Sequence, residues 1–168
     1  AMKKGFCLDG QRELMIQLAR WIQENHVVVE DLVCWSQIAP FKKLEEPSST
    51  LVPNAWLRCS PGIARCLYLA SEALQDTYLK NFAETALLSW LERSCQSRAA
   101  MDTSLYFGQS GLLTLAYQMA CDTQKPLFFR LTRTLEEGIK QHYNPSHPLG
   151  FRTLVTDDKG GIDWIDNP

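Results

Sequence analysis

The sequence predicts an all-α protein made of helical hairpins repeated along the chain, as an array or ring, with a small extended or hairpin segment. Three observations lead there. Apolar residues recur at helical spacing through most of the chain. Proline and glycine stand where helices would start. The stretches "SPGIARCLYLASEAL" and "QSGLLTLAYQMACDT" each put a glycine ahead of an uncharged helical run, and an amphipathic run follows each. Their glycines, Gly62 and Gly111, are 49 positions apart, which reads as the period of a repeated two-helix unit.

In chain order, Asp9 is placed to cap a first helix, from about Gly10 to Asn25, in which Leu14, Leu18, Trp21 and Ile22 recur at helical spacing. Val27 to Trp35 is apolar and β-branched, so it is extended or a short strand. Residues 36–54, with Pro40, Pro47, Ser48, Ser49 and Pro53, form a long loop. Pro61 starts a second helix, to about Gln75, carrying Ile63, Leu67, Leu69, Ala70 and Leu74. A third runs from about Thr77 to Ser97, with a stripe of Leu79, Phe82, Ala83, Ala86, Leu87, Trp90 and Leu91. Lys80, Glu84, Glu92 and Arg93 make its polar face.

Ser110 and Gly111 open a fourth helix to about Cys121, and Pro126 opens an amphipathic fifth to about His142. The tail from Pro145 reads as loop with one hairpin, "GFRTLVTDDKGGIDWI". The uncharged helices are expected inside and the amphipathic ones outside. The chain stops at "IDNP", about where another inner helix would begin, so it reads as part of a ring.

Composition narrows the function classes. Of 168 residues, 45% are hydrophobic and 21% charged, enough for a packed core and against bulk disorder. Seventeen Lys and Arg against nineteen Asp and Glu give a net charge of -2 without a basic stripe, which disfavours nucleic acid as a partner. No apolar run reaches membrane-span length and no signal peptide is visible; the cytoplasmic location expected here follows from the cysteines, read as reduced. Cys7, Cys34, Cys59, Cys66, Cys95 and Cys121 form no Cys-x-x-Cys pair. Most lie among apolar residues and read as reduced thiols acting as small hydrophobes.

The residues ahead of the two uncharged helices resemble those of the lanthionine synthetase C-like family. Its motifs are Trp-Cys-x-Gly-x-Pro-Gly and Cys-His-Gly-x-x-Gly, each ahead of an inner helix. Trp56-Leu57-Arg58-Cys59-Ser60-Pro61-Gly62 aligns with the first and Tyr106-Phe107-Gly108-Gln109-Ser110-Gly111 with the second. The closing "GGIDWIDNP" is similar to the family's approach to its last inner helix. The resemblance covers nearly the whole chain, so residues 1–168 read as a single partial domain, about the C-terminal half of a family domain. It implies an α/α toroid, here a partial ring lacking the last inner helix. In active members two cysteines and a histidine hold a zinc ion, which activates a substrate thiol for addition to a dehydroamino acid.

The matching positions here hold Leu57, Tyr106 and Phe107, of which only a phenol carries a donor, and a poor one. Cys59 stands at a family glycine position, and His26, His142 and His147 lie in no ligand motif. His142 and His147 read as solvated surface. No catalytic or metal-ligating residue is therefore expected, nor a cofactor. Leu57, Tyr106 and Phe107 read as plugs of the space where zinc would sit, each contributing roughly 1.5–3 kcal/mol if fully buried.

Candidates for peptide contact are Trp56, Arg58, Cys59, Arg65 and Gln109, against the plainer readings of core packing for the tryptophan and surface solvation for the arginines. Trp21, Trp35 and Trp90 read as core. The expected partners are a precursor peptide or a peptide-modifying dehydratase, with self-association or another segment completing the ring. Two further readings stay open: an active thioether-forming cyclase completed by a missing half or a second chain, and a structural helical fragment without a ligand.

Overall fold

The structure, a computed structural model, describes residues 8–35, 60–96, 103–106, 108–156 and 162–166. These residues form α1 (Gln11–Glu24), β1 (Val27–Val29), β2 (Leu32–Cys34), α2 (Ser60–Leu74), α3 (Thr77–Gln96), α4 (Gln109–Thr123), α5 (Pro126–Gln141), β3 (Arg152–Thr156) and β4 (Ile162–Asp166). The chain is of the all-α class, and among the described residues the strands form two separate hairpins. Residues 36–54, expected as a loop, lie outside the described residues up to their end.

The repeat is exact in register. From Ser60 to Gln109, from Gln75 to Gln124 and from Thr77 to Pro126 the step is 49 residues each time, so first helix, corner and second helix recur together. Both corners are two residues long, and both begin with a left-handed glutamine, Gln75 at φ 59 and Gln124 at φ 55. A non-glycine residue costs roughly 1–2 kcal/mol there. At the first corner the Asp76 amide bonds back to the Ser71 carbonyl at 2.9 Å, satisfying a helix-end acceptor. Asp76 Oδ1 then accepts the Leu79 N–H at 2.9 Å and caps α3. At the second corner the Gln124 amide reaches the Ala120 carbonyl at 2.9 Å, and Pro126 starts α5 where its missing N–H costs nothing.

The described residues fall into two compact units, one reaching Trp90 and the other starting at Leu91. In the first, β1 and β2 pair antiparallel, Val28 opposite Val33, through a turn whose Glu30 and Asp31 have φ 48 and 65. Positive φ at both central residues matches the turn twist to the strand twist. Two indoles pin this hairpin: Trp35 Nε1 donates to the Ile22 carbonyl at 2.6 Å and Trp90 Nε1 to the Val33 carbonyl at 2.7 Å. Phe82 meets His26 and Trp35 edge-on, at 5.1 and 6.2 Å between ring centres. Ala64, Leu67, Tyr68, Ala83, Ala86 and Leu87 complete the core.

Several expectations change in this unit. Asp9 does not cap α1; Gly10 holds the cap position in a left-handed conformation, and Gln11 Oε1 accepts the Leu8 N–H at 2.9 Å instead. Leu14, Leu18 and Trp21 are about half exposed, and the buried residue of α1 is Ala19. Trp21 is therefore not core, whereas Trp35 and Trp90 are. Glu84, placed on the polar face of α3 by sequence, is buried. Helix α2 is not buried all round, since Cys66 and Leu69 face solvent.

In the second unit α4 packs along α5 through Leu112, Leu115, Ala116 and Met119 on one side and Phe128, Leu131 and Leu135 on the other. Tyr117 and Cys121 of α4 are exposed, again unlike a helix enclosed on every face. Strands β3 and β4 pair antiparallel with Arg152 opposite Asp166. The loop before them closes with Asn144 N–H to Gly150 O at 2.8 Å and Gly150 N–H to His147 O at 2.9 Å. Gly150 has φ 76, and a side chain there would run into the Tyr143 ring, so both conformation and space select glycine. His147 is not simply solvated: its Nδ1 lies 3.0 Å from Asp166 Oδ1, which also accepts from Arg152 Nε at 3.1 Å. This ties the loop to the end of the hairpin.

Candidate functional site

The sequence places the candidate site at the starts of α2 and α4. At α2, Ser60 and Pro61 are buried, and Ser60 Oγ accepts the Trp35 N–H at 3.1 Å. Burial pushes the nearby Cys34 thiol above its ordinary pKa, and a hydrogen bond with Ser60 offsets this only in part. The helix start is thus fastened to the end of β2 by buried polar contacts.

Arg65, one turn further, is buried at 8% exposure and not solvated. Its guanidinium lies 5.2 Å from the centre of the Tyr68 ring, and Lys80 Nζ lies 5.5 Å from the same ring. Lys80 also donates to Glu72 Oε1 at 2.6 Å, and that hydrogen bond chiefly raises the lysine pKa. Both cations so flank one buried phenol ring, each contact worth about 0.5–2 kcal/mol. Arg65 and Tyr68 both belong to α2, and Lys80 reaches the ring from α3.

At α4 the backbone enters extended at Gly108, whose N–H bonds to the Ser104 carbonyl at 3.1 Å. Ser110 Oγ donates to the Thr103 carbonyl at 2.6 Å and fixes the entering chain. Gln109, the first helical residue, is 3% exposed. Its Oε1 has no hydrogen-bond partner among the described residues and would lie 3.0 Å from a Cβ at Gly138. The carboxamide therefore rests on α5, where a Cβ at position 138 would make it give by a few tenths of an ångström. Three residues earlier, Tyr106 is 39% exposed beside the more exposed Leu105.

Of the five peptide-contact candidates, Arg65 and Gln109 are described, and both are buried; Trp56, Arg58 and Cys59 lie outside the described residues. Of the three positions aligned with zinc ligands, Tyr106 is described, while Leu57 and Phe107 lie outside. The donor set does not fit zinc: alkyl and phenyl side chains carry no lone pair, and the phenol is a weak donor at neutral pH. Among the described residues no group of three or more His, Cys, Asp or Glu is gathered as a metal site.

Sequence reasoning missed the groove beside α1, lined by Arg12 and Arg20, and the link between His147 and Asp166. The two arginines could have been found from their spacing, eight residues apart on one helix. The His–Asp link, nineteen positions apart across a loop, leaves no periodic signal. No protein-family model matches the chain, and no curated protein matches it.

Proposed function

We propose that this chain is a degenerate lanthionine synthetase C-like domain that binds or scaffolds a peptide during modification, without zinc chemistry of its own. One observation carries the reading: the helical hairpins recur with a constant 49-residue step, each led by the glycine-bearing stretch that aligns with a family motif. The two hairpins would belong to an α/α toroid, completed by self-association or by another segment. The partners would be a precursor peptide or a peptide-modifying dehydratase, in the cytoplasm.

The chemistry follows from Leu57, Tyr106 and Phe107 at the aligned ligand positions. A metal would lower the pKa of a substrate thiol and supply thiolate. A free thiol of pKa about 8.5 is only a few per cent ionised at neutral pH. What remains for such a domain is to hold the reacting groups of a peptide close, so that addition proceeds by proximity.

Metal analysis of the purified chain, binding of a precursor peptide, and a mass-spectrometric alkylation assay on dehydrated peptide test this. The expected result is peptide binding without stoichiometric zinc and without ring closure above background. One zinc per chain, or accelerated ring closure, would establish a working cyclase instead. A folded chain with no affinity for peptide would leave a structural fragment and end the proposal.

A further inference from the structure

We propose that the groove between α1 and the corner joining α2 to α3 binds an acidic peptide segment. Its volume is about 370 Å³, within the range of ligand sites. Half-buried Ile16 supplies apolar surface over a floor of the buried Ala19 and Leu79, and Arg12, Arg20, Asp76 and Thr77 supply polar groups. Neither guanidinium is ion-paired among the described residues: Arg12 donates to the Leu74 carbonyl at 3.3 Å, and Arg20 makes no described hydrogen bond. Asp76 is the one carboxylate among the described lining residues, and its Oδ1 is engaged by the Leu79 N–H.

The groove therefore carries an excess positive charge on a chain whose net charge is -2. The charge is too small for a polyanion and is arranged along the groove. Eight helical positions separate the arginines by about 12 Å, close to the roughly 13 Å between the first and fifth residues of an extended segment, whose side chains point to the same face. An acidic side chain at each end with apolar residues between would satisfy both guanidinium groups and cover the apolar surface. This inference does not rest on the reading of the α2 and α4 starts.

The probe is acetyl-Asp-Leu-Leu-Leu-Asp-amide titrated into the full chain, with acetyl-Asn-Leu-Leu-Leu-Asn-amide and inorganic phosphate as comparisons, followed by amide chemical shifts. The acidic peptide should shift resonances of α1 and of the corner, and its binding should weaken with added salt. Arg20→Gln, at an exposed position, should weaken it by about fivefold. Asp76→Asn keeps an acceptor for the Leu79 N–H and should tighten binding by a similar factor. Equal affinity for the amide peptide, unchanged affinity in both folded variants, absence of binding, or equally good competition by phosphate would each overturn the assignment.

Discussion

Tyr68 and Tyr117 stand at the same place in successive hairpins, 49 residues apart, yet the first is 0% exposed and the second 58%. Around Tyr68 the first hairpin gathers Arg65, Glu72, Lys80 and Glu84, two of them buried charged residues. One period later those positions hold Thr114, Cys121, Phe129 and Arg133, and the tyrosine lies open. The start of each hairpin shows the converse trade. Ser60 and Ser89 occupy the positions that Gln109 and Gly138 fill one period later, where a large side chain is accommodated by the loss of one opposite. The same backbone plan thus tolerates different interiors when volume and charge are compensated locally.

The largest expected effect separates the two tyrosines. Tyr68→Ala should cost about 3–5 kcal/mol of unfolding free energy, as for other large buried rings. Tyr117→Ala should change it by about 0.5 kcal/mol or less. Urea denaturation measures both, and equal losses would erase the distinction.

Next comes the compensated pair. Gly138→Val should cost about 1–3 kcal/mol, because its side chain meets the Gln109 carboxamide. Adding Gln109→Ser, the residue one period earlier, should recover part of that loss. A double variant no more stable than Gly138→Val would show that the two positions do not share the space.

A smaller, kinetic difference concerns thiols. Cys34 is 2% exposed and its pKa is raised by burial, so it stays protonated at neutral pH. Cys121, exposed on α4, should react with iodoacetamide well before Cys34 in the folded chain. Peptide mapping after brief alkylation reads this, and early labelling of Cys34 would contradict its enclosure.

The smallest effect is the exposed pair Glu136–Lys140 on α5, at 2.5 Å. The lysine lowers the pKa of Glu136, and the carboxylate raises that of Lys140. The glutamate contribution is present above its unfolded pKa and lost as pH falls through the lowered folded value. The lysine contribution is present below its unfolded pKa and lost as pH rises through the raised folded value. Glu136→Gln should therefore lower Tm slightly near neutral pH and not in strong acid, and high salt should suppress the difference. A difference that persists in acid would assign it to packing.

Much of the helical architecture was legible in local sequence. The starts of α2 and α5 follow Pro61 and Pro126, and the 49-residue step is visible from Gly62 and Gly111, whereas α4 runs to Thr123 and not Cys121 because its corner turns on a left-handed Gln124 that no sequence signal marks. The candidate site was less legible. Arg65 and Gln109 looked available from sequence, and the fold encloses both. Side-chain type gives the cost of burying a group but not what surrounds it: the Tyr68 ring lies beside Arg65, and Gly138 leaves space for Gln109, whose Oε1 has no partner among the described residues.

The sequence by itself determined that this chain forms helices, where they start and turn, and that two hairpins repeat. Those features depend on residues a few positions apart, through spacing, capping and backbone freedom. Only the tertiary structure decided which faces are covered: Ala19 rather than Leu14, Leu18 and Trp21 on α1, and Tyr68 rather than Tyr117 in the hairpins. Burial depends on surfaces brought together from distant parts of the chain, and helical period alone does not say which side meets them.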